Sequence, residues 1–228
     1  MDADDTIPSI DWPLQRAIPS LDSDEVHLWC WDLCGDESKI LHVLQILSEI
    51  ERSRAERFVF PRDQRRYILA HAGMREILGL YLGVNANIIE FANNRFGKPR
   101  VGVALQFNLS HSGNLAVIGV AKEFEIGVDV ELVRGRASEL PVSQIAPEEQ
   151  NELYSLPSES FVPAFYHYWT RKEALLKGLG IGFAGQVANH SIEGWRVENL
   201  TPAAGYTAAV AAKSNTLRVR CFRYSHNI

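Results

Sequence analysis

Three cysteines in 228 residues, Cys30, Cys34 and Cys221, are too few and odd in number for a disulfide framework. A reducing compartment fits them, and the cytoplasm is the expected location. No apolar stretch approaches the length that crosses a bilayer. The residues from Met1 to Leu21, with Asp2, Asp4, Asp5 and Asp11, lack the basic start and apolar run of a signal peptide. No membrane partner is expected. Positive charge is not in excess either: 23 Lys and Arg against 28 Asp and Glu leave a net −5, which argues against general nucleic-acid binding. The chain has no Walker-type glycine loop, dinucleotide fingerprint, metalloprotease helix motif or repeat of fixed period. Cys30 and Cys34 have no second pair of thiols beyond them, which argues against zinc.

What is present is an ordinary globular composition, 46% hydrophobic and 22% charged, with enough length for one large domain or two small ones. Residues 1–24, rich in Asp, Pro and Ser, read as a loosely held extension. Strands are expected near 26–33, 88–91, 105–109, 115–121, 126–132, 191–197, 206–212 and 217–224. The Ser48 and Glu51 spacing predicts a capping box opening a helix to about Phe58. Asp63 is expected to cap a second helix, ended by Gly83, and two more are expected over 147–156 and 162–178. Runs of helix and antiparallel strand without regular alternation give an α+β fold rather than a doubly wound sheet. Seven arginines between Arg52 and Glu76, including Arg57 and Arg66, make a basic stretch inside an acidic protein, although each taken singly fits a solvated helix face.

Four patterns carry chemistry. Gly127-Val128-Asp129-Val130-Glu131 alternates apolar and acidic residues, so a strand would send both carboxylates to one face, where two oxygens suit a hard divalent cation. A half-exposed strand gives the same alternation. Glu173 and Lys177 lie four apart on one face of a helix, which fits a surface ion pair, or a third carboxylate with an ammonium for metal-assisted transfer at phosphate. Asn108 to Gly113 places Ser110 and His111 at a strand end, where loops and strand ends meet ligands. A serine-nucleophile reading finds neither the glycine elbow nor an acid partner. Lys98, in Phe96-Gly97-Lys98-Pro99, sits on a turn and could face an anion or simply close a hairpin.

Taken in order, Gly97-Lys98-Pro99, Asn108 to Gly113, Gly127 to Glu131 and Trp169 to Lys177 resemble the phosphopantetheinyl transferase superfamily, in particular its surfactin-type, pseudo-dimeric branch. The resemblance spans about Arg54 to Lys177. It implies transfer of the phosphopantetheine arm of coenzyme A to a serine of an apo acyl or peptidyl carrier protein, with release of adenosine bisphosphate. It also implies two similar α+β halves about a pseudo-twofold axis with the site between them. The halves would divide at 1–123, carrying coenzyme A contacts, and 124–228, carrying the metal site and further contacts. Asp129, Glu131 and Glu173 would hold Mg2+, with Glu173 or Glu131 as base. Lys98, Ser110, His111 and Lys177 would contact coenzyme A phosphates, with Arg57 and Arg66 at the family's basic positions. Two halves in one chain favour a monomer. Two rival readings use the same residues: a magnesium-dependent phosphoesterase with water as nucleophile, and a noncatalytic module that binds coenzyme A or a carrier protein.

Overall fold

All seven residues from Glu25 to Trp31 are buried, so the strand Glu25–Asp32 (β1) has to lie inside a sheet rather than at its edge. The computed structural model describes residues 12–15, 17–102, 105–181 and 191–225. In it, β1 pairs with Leu115–Lys122 (β5) on one side and with Arg218–Arg223 (β9) on the other. Leu105–Ser112 (β4) adds to the far edge of β5, giving the order β4-β5-β1-β9. All pairings are antiparallel except β1 with β9. A division of the chain between 123 and 124 therefore leaves its last strand on the sheet of the first half.

Three helices cover one face. Glu37–Leu44 (α1) opens on Asp36, whose carboxylate accepts from Lys39 N. Glu49–Ala55 (α2) opens on the expected capping box of Ser48 and Glu51. The long Pro61–Leu82 (α3) presents Tyr67, Ile68, Leu69, Met74, Ile77 and Leu78 to a core with Trp29 and Trp31. Pro61, not Asp63, sets the start of α3, because its fixed φ suits the first helical position. Asp63 lies inside the first turn, accepting from Arg62 and Arg66. Gly83 ends the helix at φ 68°, as expected.

The second sheet has the order β6-β8-β7, from Ile126–Leu132 (β6), Trp195–Leu200 (β7) and Tyr206–Lys213 (β8). Pro147–Ser155 (α4) precedes Ser158–Leu179 (α5), which packs on this sheet. The architecture is thus two small sheets, each with its own helices, and no helix among the described residues is long and apolar enough to cross a membrane.

Several expectations shift. The segment 88–91 is not a strand; a 3-10 turn at Ala86–Ile88 leads to a short pair, Ala92–Asn93 (β2) with Pro99–Arg100 (β3). α1 carries no expectation from sequence, and β7 begins at Trp195 rather than 191. The extension is not loose at its end: Trp12 and Leu21 are buried, and the backbones of Pro13 and Gln15 bond to Arg223 of β9.

Candidate active site

At Gly127, β6 and α5 meet backbone to backbone. A Cβ on Gly127 would collide with Ala174 O and the backbone of Gly178, so only glycine permits this approach. The contact fixes register. Gly178 lies over Gly127, and Lys177 Nζ reaches Asp129 Oδ1 at 2.6 Å, so helix and strand run in opposite directions. One turn back along α5, Glu173 therefore faces the 129 to 131 end of β6. The three acids expected from sequence are gathered here, and the charge of Asp129 bears on both Glu131 and Glu173.

Asp129 is 4% exposed and Glu173 is 3% exposed. Burial raises the pKa of Asp129 against the counter-effect of Lys177 and Ser110. Glu173 is pushed up to about 7, first by burial and next by the charge of Asp129, with Glu131 adding to it. Glu131 rises for the same reason although Ser112 Oγ donates to its Oε2 at 2.6 Å. When all three are ionised the carboxylates crowd one another beside the Lys177 ammonium, a charge that Lys172 offsets at Glu173 and Arg134 at Glu131. Asp129 Oδ1 accepts from Ser110 Oγ and Lys177 Nζ, whereas Oδ2 is buried with no hydrogen-bond partner. An orphaned carboxylate oxygen and two more carboxylates fit a hard divalent cation. Among the described residues no three such side chains already stand at ligating spacing.

Basic side chains rim the acids. His111 exposes its ring to solvent at the end of β4. Its pKa is lowered to about 4, first by burial and then by the charges of His71, Lys177 and Arg66. The crowding of positive charge is the part that a bound anion would reverse. Arg66 is held over the β4–β5 turn by two bonds to Asn114 Oδ1, at 2.7 and 3.1 Å. Arg57 is exposed on the chain between α2 and α3. Arg75, from the same basic stretch, is in the core instead, paired with Glu51 at 2.7 Å.

Lys98 is set apart from this group. Its ammonium donates to Ile126 O and Gly178 O, both at 2.9 Å, and neighbouring Asn94 Nδ2 donates to Gly180 O. The β2–β3 hairpin thus clasps the C-terminus of α5, where a cation also suits the helix dipole. Reasoning from sequence missed Asn108 and Ser112, which bond to β6, and His71, whose ring stacks on Tyr67 at 4.0 Å. The alternation Asn108, Ser110, Ser112 is the signal that could have found the first two.

Comparison with known proteins matches the order of these parts. Residues 31–123 match the family described as 4'-phosphopantetheinyl transferase, N-terminal, and residues 125–218 match the 4'-phosphopantetheinyl transferase superfamily. The 4'-phosphopantetheinyl transferase HetI of Nostoc sp. is 41% identical over 169 residues, 71% of either chain. The 4'-phosphopantetheinyl transferase psf-1 of Bacillus pumilus is 32% identical, over 59% of this chain and 58% of its own. The 4'-phosphopantetheinyl transferase Sfp of Bacillus subtilis is 24% identical, over 65% of this chain and 67% of its own. With two matched halves in tandem and a relative this similar across most of its length, the chain belongs to the 4'-phosphopantetheinyl transferase superfamily, in its surfactin-type branch.

Proposed function

We infer that this enzyme moves the 4'-phosphopantetheine arm of coenzyme A to a serine of an apo acyl or peptidyl carrier protein, using Mg2+ at Asp129, Glu131 and Glu173. The observation that carries the metal is the unpartnered, buried Oδ2 of Asp129 beside two further acids whose pKa values are raised. When bound, Mg2+ would supply positive charge to the diphosphate oxygens.

The chain's own residues do the rest. The serine oxygen bonds to the phosphorus next to pantetheine, the bond from that phosphorus to the bridging oxygen breaks, and adenosine 3',5'-bisphosphate leaves with the electron pair. Glu173 or Glu131 takes the serine proton; Ser112 Oγ already donates to Glu131 Oε2, which favours Glu173. Lys177 spends two of its three protons on Ser110 and Asp129 and keeps the third for a phosphate oxygen. His111 and Arg66 complete the anion site, because a phosphate supplies the negative charge that their cluster lacks. Arg57, exposed between α2 and α3, would serve the same anion or the carrier. Lys98 retains one proton beyond the two given to backbone carbonyls, so a phosphate contact there would be shared with its clasp on α5. A cytoplasmic monomer fits this reading, the two sheets forming the cleft within one chain.

The test is the intact mass of an apo carrier protein incubated with the enzyme and coenzyme A, with and without Mg2+. Gain of the phosphopantetheine mass only with the metal supports the assignment. Coenzyme A breakdown with an unchanged carrier would instead indicate a phosphoesterase, and binding without either change a noncatalytic module.

A further inference from the structure

β4 and β6 are the facing edges of two different sheets, yet no backbone pairing joins them. Three side chains do so. Val128 N donates to Asn108 Oδ1 at 2.8 Å, Val130 N to Ser110 Oγ at 3.3 Å, and Leu132 N to Ser112 Oγ at 3.2 Å. Each rung spans the same 20 residues, so the strands run parallel, with the side chains of β4 accepting the free edge N–H groups of β6. The two hydroxyls then donate one residue back, Ser110 Oγ to Asp129 Oδ1 at 2.9 Å and Ser112 Oγ to Glu131 Oε2 at 2.6 Å.

A hydroxyl has one proton and two lone pairs. Ser110 Oγ donates to Asp129 and accepts from Val130 N and Lys177 Nζ, so it has nothing left for a ligand. Ser112 Oγ accepts from Leu132 N and gives its proton to Glu131, which leaves one lone pair and no donor for an anion. On this evidence from valence and geometry, we propose that the hydroxyls of Ser110 and Ser112 are positioning residues. They hold the Asp129 and Glu131 carboxylates and join the two sheets. The proposal rests on the metal reading given above, but two of its tests do not depend on transfer.

In wild-type protein, amide exchange should find Val128, Val130 and Leu132 N–H protected although they face away from β8; fast exchange at all three overturns the joint. Mn2+ affinity, measured by electron paramagnetic resonance without coenzyme A or carrier, should fall about 10-fold in Ser110→Ala and in Ser112→Ala. Ser112→Thr, which keeps the hydroxyl, should return it to within about threefold of wild type. Under transfer conditions the alanine variants should lose about 10- to 100-fold in kcat with the coenzyme A KM within about twofold. A raised coenzyme A KM in Ser110→Ala with unchanged kcat and Mn2+ affinity would make Ser110 a phosphate contact and overturn the proposal. If wild-type protein transfers nothing, the functional reading fails, while exchange and Mn2+ affinity still decide the ladder.

Discussion

Glu51 shows how one residue can serve several neighbours. Burial raises its carboxyl pKa, but bonds from His71 and Ser48 and the charge of Arg75 outweigh that and lower it to about 2. A carboxylate with a depressed folded pKa contributes stability above its unfolded value of about 4.5, lost as pH falls towards 2. Glu51→Gln should therefore be less stable than wild type at pH 7, with the gap closing in thermal melts taken from pH 4.5 down to 2.5. A gap that is constant with pH would contradict the assignment. His111→Ala should raise the coenzyme A KM about 10-fold with a smaller change in kcat, because the ring is placed among groups that face an anion and not on the carboxylates. Steady-state kinetics checks this; an unchanged KM would remove His111 from the anion site. At this scale the sequence was informative about charge. Alternation along 127–131 identifies both strand acids, and the four-residue step from Glu173 to Lys177 puts both on one helix face. Single-residue commitments such as Lys98 to two backbone carbonyls were not legible, since they depend on which carbonyls end up nearby.

Between elements, the contact that matters most is glycine against backbone. Gly127 lets α5 lie on β6, and Gly178 in turn accepts the ring of Trp195 from β7. Gly127→Ala should cost about 3 kcal/mol or more, because backbone cannot move aside as a side chain can. For a chain of this size that corresponds to roughly 6 to 12 °C in Tm. Calorimetry of the variant checks it, and a Tm within a degree of wild type would show that the helix does not sit where the geometry puts it. Helices with strong local signals, such as the Ser48–Glu51 box and the Gly83 stop, are visible in sequence. α1 was missed because only Asp36 marks its start and it is eight residues long. The parallel pairing of β9 with β1 joins positions nearly two hundred residues apart, which no local pattern encodes.

For the whole molecule, the α+β class follows from the mixture of helix and antiparallel strand, and two sheets with their own helices are what folding produces. The proposed site lies where the two sheets meet. The first contributes His111 and the hydroxyls of β4, and the second contributes Asp129, Glu131, Glu173 and Lys177. Neither sheet has a complete site. The central claim is that acids from a strand and a helix, drawn together by Gly127, hold one divalent cation. It is tested most directly by Mn2+ titration of the folded protein followed by electron paramagnetic resonance. One site is predicted in wild type, with at least a 10-fold loss of affinity in both Asp129→Ala and Glu173→Ala while their circular dichroism stays unchanged. Equal Mn2+ affinity in wild type and both folded variants would contradict it.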